Sequence, residues 1–381
     1  MRTLLTLFLS ILLIASSIFS ASCSAQDIAP AKASADTRPT PALPDGDIIT
    51  IAAVGDIMLG STSINETFLP PNDGRDSLKA VTPILAAADI AFGNLEGPLI
   101  DGGVSTKCPL PKPLKPGEEP KPIRCFAFRS PTRYGKYLKE AGFDVLSLAN
   151  NHASDFGDQG RTSTRKILDG LGIAHAGSNR ANLAMTVIES KGKKIAFIGF
   201  AHNAVNPNVN ELETAAQLVK AAKKKADIVV VSFHGGAEGE AAQHIPRATE
   251  MFVGEKRGNL PLFAKTVVDA GADLVLGHGP HVLRGMEVYK DRLIVYSMGN
   301  FATYGMFNLK GAQGLTAIFE IDLALDGKFT GGRIHAGKQM GRGLPLLDQS
   351  NDAIRKVRSL SQADFPSTAP RIADDGAITT K

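Results

Sequence analysis

From residue 48 onward, short apolar runs alternate with stretches that carry a helical pattern. The runs Ile48 to Val54, Ile90 to Gly93, Val145 to Leu148, Lys194 to Phe200, Ile228 to Phe233, Leu274 to Leu276 and Leu293 to Ser297 predict strands. Between them, Ser77 to Ala87, Pro131 to Ala141, Glu211 to Lys225 and Asn259 to Ala270 predict helices. Such alternation implies an α/β sheet with helices on its faces. Further on, Arg284 to Tyr289, Arg292 to Ser297, Leu315 to Leu323 and Phe329 to Ala336 predict strands joined by turns such as Lys290-Asp291 and Asp326-Gly327. Those hairpins make the sheet arrangement mixed.

The ends of the chain break the pattern. Residues 1–25 read as a secretory leader: Arg2, an apolar run from Leu4 to Ala15, then small residues, with cleavage expected after Ala25. The alternative is lipidation at Cys23, against which Ser20 stands where an aliphatic residue is usual. The leader's apolar core is shorter than a membrane span needs, and no later stretch approaches that length. Residues 26–46, rich in Ala, Pro, Ser, Asp and Thr, are expected to be a disordered tether. One domain is expected over 47–345, and a loosely ordered tail over 346–381 where apolar content falls.

A Pro- and Lys-rich insertion spans Asp101 to Arg129, with Pro109, Pro111, Pro113, Pro116, Pro120 and Pro122 preventing helix and central strand. It reads as an extended flap flanked by Cys108 and Cys125, candidates for a disulfide in an exported protein; two reduced buried thiols are the alternative. The flap's Lys107, Lys112, Lys115, Lys121 and Arg124 either guide an anionic polymer or form an ordinary solvated loop. The charge of the whole chain, +4, is too small to argue for nucleic acid, and the absence of Trp weakens a case for a stacking platform.

Polar residues gather where apolar strands end. Asp56 follows the first run, Asn94 and Glu96 the second, Asn150, Asn151 and His152 the third, His234 the fifth, and His278 and His281 the sixth. Ligands of open α/β sheets bind outside the carboxyl ends of strands, so these endings are expected to converge on one crevice. Singly, each has a bland explanation as a cap, a turn or a hydrogen-bonded core residue. Together they include four of the eight histidines and predict a shared metal site. Carboxylates from Asp56 and Glu96, the Asn151 amide oxygen and imidazoles from His234, His278 and His281 form a mixed N/O set suited to one or two divalent ions, Mn, Zn or Fe.

In order along the chain, Gly55-Asp56, Gly93-Asn94-Leu95-Glu96, Leu148-Ala149-Asn150-Asn151-His152, His234-Gly235-Gly236-Ala237-Glu238, Gly277-His278-Gly279-Pro280-His281 and Tyr296-Ser297-Met298-Gly299-Asn300-Phe301 resemble the CapA family of bacterial poly-γ-glutamate capsule synthesis proteins. That family in turn is similar to calcineurin-like metallophosphoesterases. The resemblance, over about Ile48 to Leu325, implies a metallophosphoesterase-like four-layer sandwich of two mixed sheets flanked by helices. It implies that His152 acts as general acid beside Asn151, with Glu238 a further acid near the site, and that Asn94 and Asn150 touch either the ligand residues or the substrate. Lys112, Lys115 and Lys121 would meet the substrate, and Asn300 would be a structural amide at the pocket rim. Met58 stands where phosphoesterases carry a histidine, which favours a single ion or a weaker second position. Gly235 and Gly279, where relatives carry Trp and His, imply a more open pocket wall.

Three functions follow. The first is an exported metal-dependent hydrolase or transferase acting on an anionic envelope polymer such as poly-γ-glutamate. The second is a non-catalytic accessory of capsule assembly that binds polymer or a membrane capsule synthase complex. The third is a periplasmic phosphoesterase of small substrates, which rests on fold analogy alone.

Overall fold

A computed structural model describes residues 48–108, 125–179 and 184–381. The leader, the tether, Cys23 and the flap lysines Lys112, Lys115 and Lys121 lie outside these residues. Among the described residues, no helix is long and apolar enough to cross a membrane.

The chain visits one sheet, builds a second and returns to the first. It enters through β1 (Ile48–Met58), β2 (Ile90–Leu95), β3 (Val145–Ser147) and β4 (Ala174–Ala176), which pair in parallel. It then lays down β5 (Met185–Ser190), β6 (Lys193–Ala201) and β7 (Ile228–His234). A separate hairpin follows, β8 (Glu250–Phe252) with β9 (Glu255–Gly258), before β10 (Leu274–His278), β11 (Met286–Tyr289) and β12 (Arg292–Val295) complete a six-stranded sheet in the order β11-β12-β10-β7-β6-β5. The return adds β13 (Asn300–Thr303), β14 (Leu315–Ala324), β15 (Phe329–Met340), β16 (Leu344–Leu347), β17 (Arg371–Ile372) and β18 (Ala377–Thr379), making the first sheet ten-stranded.

Alternation along each strand explains the layering. Ile51 and Ala53 of β1, Phe92 of β2, Phe197 of β6, Val230 of β7 and Leu276 of β10 share one buried cluster between the sheets. Ala52 and Val54 turn the other way and pack with Leu85 of α1 (Thr82–Leu85), Leu138 of α2 (Gly135–Glu140) and Leu168 of α3 (Gly157–Leu171). On the far side, Val229, Val231 and Val275 pack with Ala215 and Val219 of α4 (Leu212–Lys223) and Phe263 and Val267 of α5 (Leu260–Asp269). Strands covered on both faces read as continuous apolar runs, which is why their sequences show little alternation. The result is the expected four layers, two mixed sheets flanked by helices.

Two expectations are corrected. Residues 346–381 are a folded element: α6 (Asp352–Asp364) buries Ala353, Ile354, Val357 and Leu360, and β18 pairs with β15. An apolar stripe of only these positions suffices to dock a helix, although average hydropathy over the segment is low. The helix expected over Ser77 to Ala87 contracts to Thr82–Leu85, preceded by turns, with Pro83 near its start. The turns at Lys290-Asp291 and Asp326-Gly327 do join β11 to β12 and β14 to β15.

Candidate metal centre

The strand ends named in the sequence come together. Register sets Asp56 of β1 opposite Asn94 of β2 and Asn300 of β13. In the second sheet, His278 of β10 lies opposite His234 of β7. His281 follows β10 with a left-handed φ of 57°, which turns the loop at the site. Contacts then cross from sheet to sheet. His281 Nδ1 is 2.9 Å from Asp56 Oδ2, and His278 Nδ1 is 3.7 Å from Asp56 Oδ1. Glu96 Oε1 lies 3.8 Å from His281 Nε2 and 4.0 Å from both His152 Nε2 and His234 Nε2. Asp56, Glu96 and His234 each offer a ligand atom within 4.8 Å of the others.

These side chains are buried. Yet among the described residues both carboxylate oxygens of Glu96, both ring nitrogens of His234 and of His278, and Asn151 Oδ1 have no hydrogen-bond partner. A buried polar group without a partner costs about 1–3 kcal/mol, so several around one point are expensive unless something fills it. Electrostatics agree. Burial, and then the Asp56 charge, push the Glu96 carboxyl well above its ordinary range. Burial drives His234 well below its usual value and His278 down to about 4. Burial also opposes charge on His281, but the Glu96 and Asp56 carboxylates outweigh it and raise this imidazole to about 10. Two acidic side chains closing on His234 and His278, both kept neutral by burial, form a donor set suited to a cation, and Asp56, Glu96 and His234 fit a divalent metal.

A second layer holds the first. Asn94 Nδ2 donates to Asp56 Oδ1 at 2.8 Å, and Asn150 Nδ2 donates to Asn94 Oδ1 at 3.1 Å and to the Leu95 carbonyl at 2.9 Å. Both amides are buried and committed to positioning Asp56 and the strand end. His152 Nδ1 is 2.7 Å from Asp155 Oδ2, which also accepts from Phe128 N at 2.7 Å, and the Phe128 ring stacks on the imidazole at 3.8 Å. Glu238 pairs with Arg257 at 2.8 Å and stands 3.9 Å from His281 Nε2. Asn300 is buried beside Asp56 and donates to the Gln313 carbonyl at 3.2 Å. Met58 is fully buried in β1, and Cys108 and Cys125 form a disulfide.

The open wall expected at Gly235 and Gly279 is absent. A Cβ on Gly235 would sit 2.7 Å from the Arg257 carbonyl oxygen, and one on Gly279, at φ 111°, 2.8 Å from that of Gly235. Neighbouring backbone fills both positions, so these glycines permit close approach of the β9 end and the β10 loop.

Asp155, Phe128 and His202 escaped sequence reasoning. Asp155 follows His152 by three residues in a turn, a spacing that could have marked it as the imidazole's partner. His202 follows β6 as His234 completes β7, and its ring lies 5.9 Å from that of His234, so the strand-end rule applied once more would have found it.

Known proteins share much of this chain. Residues 50–304 match the family described as bacterial capsule synthesis protein PGA_cap. A capsule biosynthesis protein CapA of Bacillus anthracis is 32% identical over 276 residues, covering 68% of this chain and 60% of that protein. The PGA biosynthesis protein CapA of Bacillus subtilis is 32% identical over 271 residues, covering 67% of this chain and 63% of that protein. The chain therefore spans less than two thirds of the length of either relative. Among solved structures, the NAD nucleotidase of Haemophilus influenzae aligns at a TM-score of 0.38 and 12% identity, covering 83% of this chain and 56% of that one.

Proposed function

Because the chain belongs to the PGA_cap family of bacterial capsule synthesis proteins, we propose that it is an exported metal-dependent hydrolase or transferase acting on an anionic envelope polymer such as poly-γ-glutamate. The observation that carries this reading is the set of buried, unpartnered ligand atoms on Glu96, His234 and His278 around Asp56. Asp56, Glu96, Asn151, His234, His278 and His281 would hold one or two divalent ions, with Mn, Zn or Fe suited to the mixed donors. With Met58 in place of a further imidazole, one ion is the simpler occupancy. What such an ion supplies when bound is Lewis acidity toward a carbonyl or phosphoryl oxygen.

The protein's own groups do the rest. Asp155 accepts the Nδ1 hydrogen of His152, which leaves Nε2, the nitrogen that faces Glu96, as the one that would take up a proton and pass it to a leaving group. Stacking on Phe128 fixes the ring plane, and burial lowers the imidazole's basicity against the opposing pull of Asp155. Glu238, beside His281, is a second acid within reach of the site. Asn94 and Asn150 orient Asp56. The leader read in residues 1–25 and the names of the Bacillus relatives support an envelope location, with Cys23 the candidate lipid anchor, and a membrane capsule synthase complex is a second partner class.

Metal analysis of purified protein tests this directly. His234→Ala and His281→Ala are expected to lose metal; unchanged content in both variants would sink the proposal. A metal-loaded protein that cleaves neither poly-γ-glutamate nor a phosphodiester reporter, while its deletion still alters surface polymer, would favour the accessory role that Met58 suggests.

A further inference from the structure

Both arms of the disulfide-clipped flap close on one short segment of the site. On the entering arm, Thr106 N donates to the Asp155 carbonyl at 2.9 Å and Thr106 Oγ1 to the Ser154 carbonyl at 3.0 Å. The next residue, Lys107, sets its ammonium 3.3 Å from the Asn151 carbonyl, 3.4 Å from Asp155 Oδ1 and 3.2 to 3.5 Å from the ring nitrogens of His152. On the leaving arm, Phe128 stacks on His152 and donates its N–H to Asp155. The Cys108–Cys125 bond ties the arms together one residue beyond Lys107.

We propose that Lys107 is a specificity-determining residue that receives an oxyanion of the substrate, a carboxylate or a phosphate oxygen, beside His152. This inference rests on the proposed function and names the charged group of its substrate. The ion pair of the lysine with Asp155 does not use up its donors. Asp155 Oδ2 already accepts two hydrogen bonds, whereas its Oδ1 makes none and Lys107 stands 3.4 Å away. An ammonium has three donors, one of which goes to the Asn151 carbonyl, and the side chain is one-third exposed at 34%. Charge also argues for it. A cation beside His152 attracts an anionic group to the place where the scissile bond must come. The flap's grip supplies the placement: without the clip, a flexible lysine would lose rotamer freedom on binding that it has here partly lost already.

The test is calorimetric binding of two probes to the full chain, a short poly-γ-glutamate oligomer and inorganic phosphate, for wild type, Lys107→Ala and Lys107→Arg, with metal content measured on each. A charge-assisted hydrogen bond contributes about 1.5–3 kcal/mol, so Lys107→Ala should weaken the oligomer by roughly 10- to 100-fold while keeping its metal. Lys107→Arg should stay within about 3-fold of wild type, since charge and reach persist and a purely structural contact would not be rescued in this way. Wild-type affinity in Lys107→Ala overturns the inference and leaves the polymer reading standing. Phosphate binding that depends on Lys107, with no oligomer binding, keeps the lysine's role and rejects the carboxylate polymer as its ligand. Absence of binding to either probe in wild type overturns both.

Discussion

Two buried polar clusters sit a few residues apart along the loop after β10, and they are built in opposite ways. Arg284 is fully buried, and each of its guanidinium nitrogens is used: Nε donates to the Ala242 carbonyl at 2.7 Å, Nη1 to Glu250 Oε1 at 2.9 Å, and Nη2 to Glu250 Oε2 at 2.8 Å and the Ala237 carbonyl at 3.2 Å. Glu250 also accepts from Ala237 N at 2.9 Å. Three residues earlier, His281 enters the cluster in which Glu96, His234 and His278 have unpartnered atoms. The first cluster is complete without anything added; the second is not. Saturation suits a polar group kept for structure, and several unpartnered atoms gathered around one point at comparable burial suit a ligand.

The contrast can be broken from either side. Arg284→Ala should have the largest effect, about 3–5 kcal/mol lost in chemical denaturation, because it leaves Glu250 charged and unpaired in the interior. A loss below about 1 kcal/mol would remove the structural half of the comparison. Next, a divalent metal at 100 times its dissociation constant should stabilise wild type by about 2.7 kcal/mol in a thermal melt and leave His234→Ala almost unmoved. Equal stabilisation of both would mean the ion binds elsewhere. Asn94→Ala removes the amide that orients Asp56 and should weaken metal binding by about 10- to 100-fold in a competition titration without abolishing it. The smallest effect belongs to Tyr296→Phe, about 1 kcal/mol, since Glu287 loses the bond from the phenol at 2.6 Å but keeps Thr368 at 2.9 Å and Lys265 at 3.4 Å. A loss like that of Arg284→Ala would show that saturated networks here are not redundant.

The unsaturated half of this contrast is largely legible in the amino-acid sequence. The apolar runs mark β1, β2, β3, β6, β7 and β10, and the residues just beyond them are the ones that meet at the centre. What the sequence hides, it hides for physical reasons. Helix α3 carries Gly157, Gly160 and Gly170 and buries only Gly160, Thr164 and Leu168, so neither propensity nor an apolar stripe announces it. Its Thr164 is held by tertiary context, accepting from Leu99 N at 2.9 Å. The C-terminal helix α6 has a regular stripe, but its many charged residues lower the average and make the segment read as a tail. Asp155 acts through a side chain on another turn residue, and Lys107 through a flap whose closure depends on Cys125, distant in sequence from the His152 it faces. Strand ends report position along one element; contacts of this kind depend on where several elements stop.

The central claim is that the unpartnered atoms around Glu96 form a metal site. Crystals of the full chain soaked in a manganese or zinc salt and measured across the metal's absorption edge test it most directly. The account predicts an anomalous peak about 2.0–2.2 Å from Asp56, Glu96 and His234. Well-ordered side chains at these three positions with no peak between them would contradict it.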